Sequence, residues 1–226
     1  MKMLLNDITI EVVRPFTSFP NEVKNYDLVM DFFRLRKQVF VDRMDWKLDH
    51  HDGAEFEQYD TYDTTYVIAH RNRKVVGGAR LRRTDQRNAC YSYMIRDAYL
   101  GLLDGLPREM CFDEPPVDKG AWELTRLTAL PDEKEVGAAI LTCSNDYLYD
   151  IGATTCLFLG PAAFIRMAEK MGWKTRRLGP LVGNQDGRFL AFECPVREPS
   201  LPTFPQANHV PSAAALRWLG KTEQPG

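Results

Sequence analysis

Four short stretches of this chain hold residue types that can do chemistry at the spacing in which they occur. Arg36, Val39, Phe40 and Trp46 form the pattern R-x2-V-F-x5-W. An arginine can grip a carboxylate through two parallel hydrogen bonds, and aromatic faces attract a positive centre. The pattern therefore suits a pocket for a cationic ligand, or simply a helix anchored by aromatic side chains. The acidic run Glu55-Phe56-Glu57-Gln58-Tyr59-Asp60 follows. Its carboxylates are either solvated in a loop or buried, and buried carboxylates need positive partners. Such partners stand at Arg36, at Arg80 after the pair Gly77-Gly78, and at Arg126 in Trp122-Glu123-Leu124-Thr125-Arg126. Glu123 is a candidate general base, or one half of an ion pair on a strand. His50-His51-Asp52 has no further histidine or cysteine at ligand spacing, and no GxSxG elbow occurs. It is read as loop, and no metal site is expected.

These residues need elements to hold them. Asp7–Val13 alternates and is rich in β-branched residues, which predicts a strand. Over 25–43 the pattern is helical, with Phe32, Arg36 and Phe40 each four apart on one face. Residues 47–63 lack periodicity and read as an ordered loop. Tyr66–Ala69 and Val75–Leu81 read as strands joined by a hairpin at 71–74. A strand over 122–130 stops at Pro131, and a helix over 135–149 ends at a Gly152 cap. A strand at 154–159, a helix at 162–170, a strand at 188–194 and a last helix at 213–219 complete the order. Strands interleaved with helices predict an α/β protein, a three-layer α-β-α sandwich around a mixed twisted sheet. Glu123 and Arg126 are three apart, so a regular strand would point them to opposite faces. If both join one cluster with Arg36, Asp60 and Arg80, the strand must bulge or end between them.

Composition narrows the function class. The 226 residues are 44% hydrophobic with a net charge of −2. That fits one large domain, placed at 1–198 with a C-terminal extension at 199–226. The balanced charge argues against a general nucleic-acid binder. No apolar run reaches membrane-spanning length and no secretory signal opens the chain, so a cytoplasmic location is expected, without membrane insertion. Five scattered cysteines with no CxxC pair predict reduced thiols.

Taken in this order, the four stretches resemble the acyl-homoserine-lactone synthases, the LuxI-type autoinducer synthases that make quorum-sensing signals. The resemblance covers roughly residues 30–195. It implies a fold similar to the N-acetyltransferases (GNAT-like). It also implies that S-adenosylmethionine and an acyl thioester are substrates, with no cofactor. By its motifs, Arg36, Phe40, Trp46, Asp60 and Arg126 would form the S-adenosylmethionine site. Glu57 and Arg80 would complete a charged network, although the family usually has aspartate where this chain has Glu57. Glu123 would take the proton from the attacking amine, directly or through one water. Leu141, Ser144, Phe158 and Gly160 would face the acyl chain. Some relatives with 3-oxo products have threonine where this chain has Phe158, which disfavours a 3-oxo donor.

Arg166, Lys170 and Lys174, with Arg176 and Arg177, form a basic segment. It is either a solvated face or a docking patch for an acidic acyl-carrier protein or for the phosphates of acyl-coenzyme A. The Gly-rich pyrophosphate loop of coenzyme-A acetyltransferases is not evident after Leu130, which favours the carrier protein. The rival reading is a general N-acetyltransferase of the same fold acting on another amine with an acyl-coenzyme A donor. The aromatic and acidic N-terminal motifs argue against it. A non-catalytic binder that keeps the pocket is a third.

Overall fold

Two strands, β1 (Lys2–Leu5) and β2 (Ile8–Val13), open the chain as a hairpin, where the sequence pattern predicts a strand over 7–13 alone. The structure is a computed structural model and describes residues 1–15, 25–184 and 187–199. The helix expected at 213–219 lies outside the described residues, as does the extension beyond 199. Helix α1 (Tyr26–Arg36) passes directly into a π-helical turn (Lys37–Arg43), so the single helix expected over 25–43 is two kinds of helix in series. The expected loop at 47–63 holds a two-rung hairpin, β3 (His50–His51) with β4 (Ala54–Glu55). Its turn is Asp52-Gly53, both at positive φ, the usual signal for a two-residue hairpin.

Strands β5 (Thr65–Arg71) and β6 (Lys74–Arg83) form the expected hairpin, with Asn72 and Arg73 at positive φ. A short helix α2 (Met94–Tyr99) and a 3-10 turn (Arg108–Met110) lead to β7 (Ala121–Ala129). Then come α3 (Val136–Asp150), β8 (Thr155–Gly160) and α4 (Ala162–Lys170). β9 (Arg176–Arg177), β10 (Val182–Asn184) and β11 (Gly187–Pro195) follow. Helices α3 and α4 close on Gly152 and Gly172, both left-handed, with Ala153 N donating to Leu148 O at 2.9 Å and Trp173 N to Ala168 O at 3.0 Å.

The main sheet runs β1-β2-β5-β6-β7-β8-β11-β10, with β9 also on β11. Its pairings are antiparallel except β7 with β8. That parallel pairing spans Ala121–Leu124 against Thr155–Phe158 and then stops, although both strands continue. A gap therefore opens in the middle of the sheet.

Alternation along each strand sorts the side chains onto two faces. Val67, Ala69, Leu124 and Phe158 pack with α3 and α4, while Tyr66 and Ile68 pack with α1. Leu157 and Ala191 pack with α2 on that same second face. This is the three-layer sandwich, with α1 and α2 on one side and α3 and α4 on the other. The Gly77-Gly78 pair marks close approach: a Cβ on Gly78 would lie 2.6 Å from the Phe32 ring, and one on Gly77 2.8 Å from Val136. No helix of the described residues is long and apolar enough to cross a membrane.

Candidate active site

Arg80, Arg82 and Gly78 share the α1 side of β6, and the register places Thr125 opposite Arg80 and Glu123 opposite Arg82. The sheet thus presents a patch of charge to α1 and to the segment before β5. Arg36, at the end of α1, points into it. Its Nη1 and Nη2 donate to Asp60 Oδ1 and Oδ2 at 2.8 and 2.9 Å, and its Nε donates to Glu55. Arg80 Nη2 donates to Glu57 Oε1 at 2.6 Å, and its Nη1 lies 3.3 Å from Asp60. Arg126 Nη2 donates to Glu57 Oε2 at 2.8 Å and lies 3.2 Å from Glu55. The six side chains close a ring, Arg36–Glu55–Arg126–Glu57–Arg80–Asp60, in which every cation sits between two anions.

Burial decides what this ring can touch. The side chains of Arg36, Arg80, Asp60 and Glu55 are at most 1% exposed, whereas Glu57 is 16% and Arg126 8% exposed. Arg36 and Asp60, expected to contact S-adenosylmethionine, are therefore shut away from the surface. Glu57 and Arg126 form the edge of the ring that meets solvent. Burial alone would raise the Asp60 carboxyl, but Arg36 and Arg80 outweigh it and hold it far below the usual carboxylate range. Glu55 is likewise held down, by Arg126 and Arg36 against its burial. Glu55 was not singled out from the sequence, although it stands in the same acidic run, two residues past the Asp52-Gly53 turn.

Arg126 reaches the ring because β7 is irregular. Gly78 pairs with Thr128 but Arg80 with Thr125, so Ala79 alone faces both Arg126 and Leu127. Arg126 takes φ of 56°, the left-handed region that a bulge requires here. The bulge lies at 126–127, just past the expected interval, because the rungs at 123–125 stay paired. It turns Arg126 to the same face as Glu123.

Glu123 stands beside the ring and outside its ion pairs. It is fully buried, and its Oε1 and Oε2 accept from the amides of Ile95 at 2.8 Å and Met94 at 3.1 Å, at the start of α2. Burial pushes its carboxyl up to about 7, against the opposing pull of those amides and of Arg80 and Arg82. These amides were not foreseen, since backbone donors leave no mark in residue type. Behind them, Asp97 accepts from Tyr59 Oη at 2.9 Å and from Ser92 N and Oγ at 2.8 and 2.7 Å.

Phe40 lies in the π-helical turn, and Trp46 stacks on it at 5.0 Å and 11°, with Trp46 N donating to Phe40 O at 2.9 Å. The Arg126 guanidinium lies 5.8 Å from the Phe40 ring centre, so the aromatic pair and the exposed edge of the charged ring adjoin. Trp46 is half-buried, and its edge meets Phe189 at 5.8 Å.

On the opposite face of the sheet, Leu141, Ser144 and Phe158 line one narrow crevice together with Leu124, Leu148, Cys156 and Trp173. Phe158 is buried against Phe192, Phe164 and Trp173. Gly160 lies outside this lining, under Phe164, whose ring a Cβ would meet at 2.6 Å. Arg166 and Lys170 on α4 and Lys174 beyond it are exposed. A larger groove of about 510 Å³ opens where β7 and β8 begin, at the end away from the gap. Of the candidate residues, only Arg176 and Arg177 from the basic segment line it. Among the described residues no group of His, Cys, Asp or Glu is arranged to hold a metal ion.

Residues 20–198 match the family model for autoinducer synthases. The chain is 28% identical over 164 residues to an acyl-homoserine-lactone synthase of Pseudomonas fluorescens, covering 71% of this chain and 76% of that one. Among solved structures it resembles a coenzyme-A-dependent acyl-homoserine lactone synthase, BjaI, bound to SAM and isopentyl-CoA. That likeness has a TM-score of 0.69 at 22% identity and covers 87% of this chain and 84% of that chain. A putative N-acetyltransferase from Lactobacillus plantarum shares the fold at a TM-score of 0.53 and 14% identity, covering 85% and 100% of the two chains.

Proposed function

The chain belongs to the autoinducer synthase family, and on that footing we propose that its two-faced site makes an N-acyl-homoserine lactone from S-adenosylmethionine and an acyl thioester. As a member it is an acyltransferase. The observation that carries the site assignment is the sheet gap beyond Leu124 and Phe158, which joins a charged, aromatic face to an apolar crevice. S-adenosylmethionine bears a sulfonium, an amine and a carboxylate. The Phe40–Trp46 stack suits the sulfonium and adenine. Arg126, at the exposed edge of the ring, suits the carboxylate, while Arg36, Asp60, Arg80 and Glu55 hold that edge rigid.

Glu123 takes a proton from the amine, directly or through one water. A carboxyl pushed up to about 7 is matched to that task near neutral pH. The neutral amine attacks the thioester carbonyl. The new N–C bond forms, the C–S bond breaks, the amine's second proton leaves on the thiol, and Glu123 returns the first to solvent. The methionyl carboxylate then attacks its own γ-carbon, closing the lactone and expelling methylthioadenosine. Much of the acceleration comes from holding both substrates across one gap. Beyond Leu124 and Phe158, β7 and β8 have no ladder partners across that gap, which supports a role for their backbone N–H groups at the thioester oxygen.

The donor we favour is an acyl-carrier protein, an acidic partner suited to exposed Arg166, Lys170 and Lys174. The test is mass spectrometry of extracts from cells expressing the chain, searched for the homoserine-lactone fragment, followed by turnover of the purified protein with matched carrier-protein and coenzyme-A thioesters. An extract without any acyl-homoserine lactone, from cells making soluble protein, overturns the reading.

A further inference from the structure

The geometry points to Trp173 as a specificity-determining residue that favours acyl chains bearing an acceptor oxygen, a keto or hydroxyl group, over plain ones. The inference rests on the reading of the crevice behind Leu124 and Phe158 as the acyl subsite.

That crevice is almost wholly apolar, and the chain already uses most of its few polar groups. Ser144 Oγ donates to Ile140 O at 2.8 Å. Asn145 is held at both ends by Arg197, its Nδ2 donating to Arg197 O at 2.9 Å and its Oδ1 accepting from Arg197 N at 3.1 Å. Trp173 differs. Its side chain lines the same crevice, the residue is only 8% exposed, and its indole Nε1 is buried with no hydrogen-bond partner among the described residues.

The ring is also held in place. Trp173 follows the left-handed Gly172 that ends α4, and its backbone N donates to Ala168 O at 3.0 Å. Its ring lies 5.9 Å from Phe158, and the Arg197 guanidinium sits 5.6 Å from it. A buried tryptophan N–H normally finds a partner. The crevice holds only about 10 Å³ and must widen to admit an acyl chain, but the donor is already shielded from water, so a plain chain leaves it unpaired, whereas an oxygen at the right carbon pairs it. Leaving a buried donor unmade costs more than making the bond gains, so such a site discriminates against the analogue that lacks the acceptor. Phe158, packed beside it, has no donor to offer.

The experiment uses the purified full chain, S-adenosylmethionine and acyl thioesters of one chain length. The donors are unsubstituted, 3-oxo, 3-hydroxy, or hydroxylated near the far end, which locates the oxygen. At least one oxygenated donor is expected to exceed the unsubstituted one by about tenfold in kcat/KM. Trp173→Phe keeps the ring and removes the N–H. It should erase that preference, read as the ratio of kcat/KM between oxygenated and unsubstituted donors, which falls from about tenfold to near one whatever happens to the absolute rates. Equal use of all donors by the wild type, or a preference that survives in Trp173→Phe, overturns the proposal. Turnover of no donor at all overturns the functional reading and this inference with it. Should the variant fail to fold, isotope-labelled indole N–H resonances of the wild type supply the answer. The Trp173 signal should move downfield with an oxygenated acyl-homoserine lactone and not with a plain one, and identical shifts overturn the proposal.

Discussion

Arg36 grips Asp60 with two parallel hydrogen bonds, Nη1 to Oδ1 at 2.8 Å and Nη2 to Oδ2 at 2.9 Å, in a part of the molecule where neither side chain is more than 1% exposed. Asp60 also accepts from Tyr66 Oη at 3.0 Å and from Glu57 N at 2.9 Å. Asp60→Asn keeps the shape but strands Arg36 and Arg80 beside an uncharged group. It should cost about 3–5 kcal/mol in urea unfolding at neutral pH. Since the folded-state value lies below the unfolded 3.8, this contribution is present above pH 3.8 and lost as the pH falls further. The variant's acid transition should therefore be shallower. A loss under about 1 kcal/mol would show that the pair is no better than a surface one.

Glu123→Gln should lower acyl transfer by about a hundredfold or more, with S-adenosylmethionine binding largely kept. In the wild type, kcat/KM should climb with pH through about 7 as the carboxyl ionises, and the variant should lose that limb. The raised value has a stability counterpart. Between pH 4.5 and about 7 the unfolded chain ionises first, so this group's contribution to stability falls as pH rises across that window. A variant with near-full turnover across neutral pH removes Glu123 from the role of base.

Trp46→Ala should weaken S-adenosylmethionine binding by about 1–3 kcal/mol, through lost apolar contact and lost cation–π attraction. Because Trp46 is only half-buried, the loss in unfolding stability should be the smaller effect. Unchanged affinity by calorimetry would leave the Phe40–Trp46 stack a packing contact and nothing more.

Gly78→Ala puts a methyl 2.6 Å from the Phe32 ring, which has buried neighbours in Tyr66 and Arg36. Overpacking of this kind costs about 1–3 kcal/mol. Arg36 lies one turn beyond Phe32 on α1, so moving Phe32 moves the grip on Asp60. Activity should fall by more than stability alone explains. Wild-type thermal stability would mean that α1 lifts from the sheet freely.

The long strands, the hairpin at Asn72-Arg73 and the glycine cap of α3 were legible, because alternation, turn residues and periodicity each leave a pattern in residue type. The β3–β4 hairpin was not, since two-residue strands are too short to alternate, although Asp52-Gly53 was there to be read. The change from α to π geometry after Arg36 left no trace either, because Phe32, Arg36 and Phe40 keep a four-residue spacing through it. Spacing alone demanded a break in β7 if Glu123 and Arg126 were to share a face. Its position at 126–127 depends on pairing with Ala79, which one strand cannot reveal. The membership of the ring lay in the motif residues and in Glu55. Which of them meet solvent is a matter of depth, and depth comes from the packing of α1 and the 54–60 segment on the sheet.

The ring of alternating charges draws its members from α1, β4, the turn at 57–60, β6 and β7. Remove any one segment and the ring is left with an uncompensated charge in a dry interior, a state far costlier than full exposure of them all. Half-assembled versions of the site are thereby suppressed, and the segments must arrive together. The ring works as a coincidence lock: a chain caught between unfolded and folded should hold either a finished reaction chamber or none.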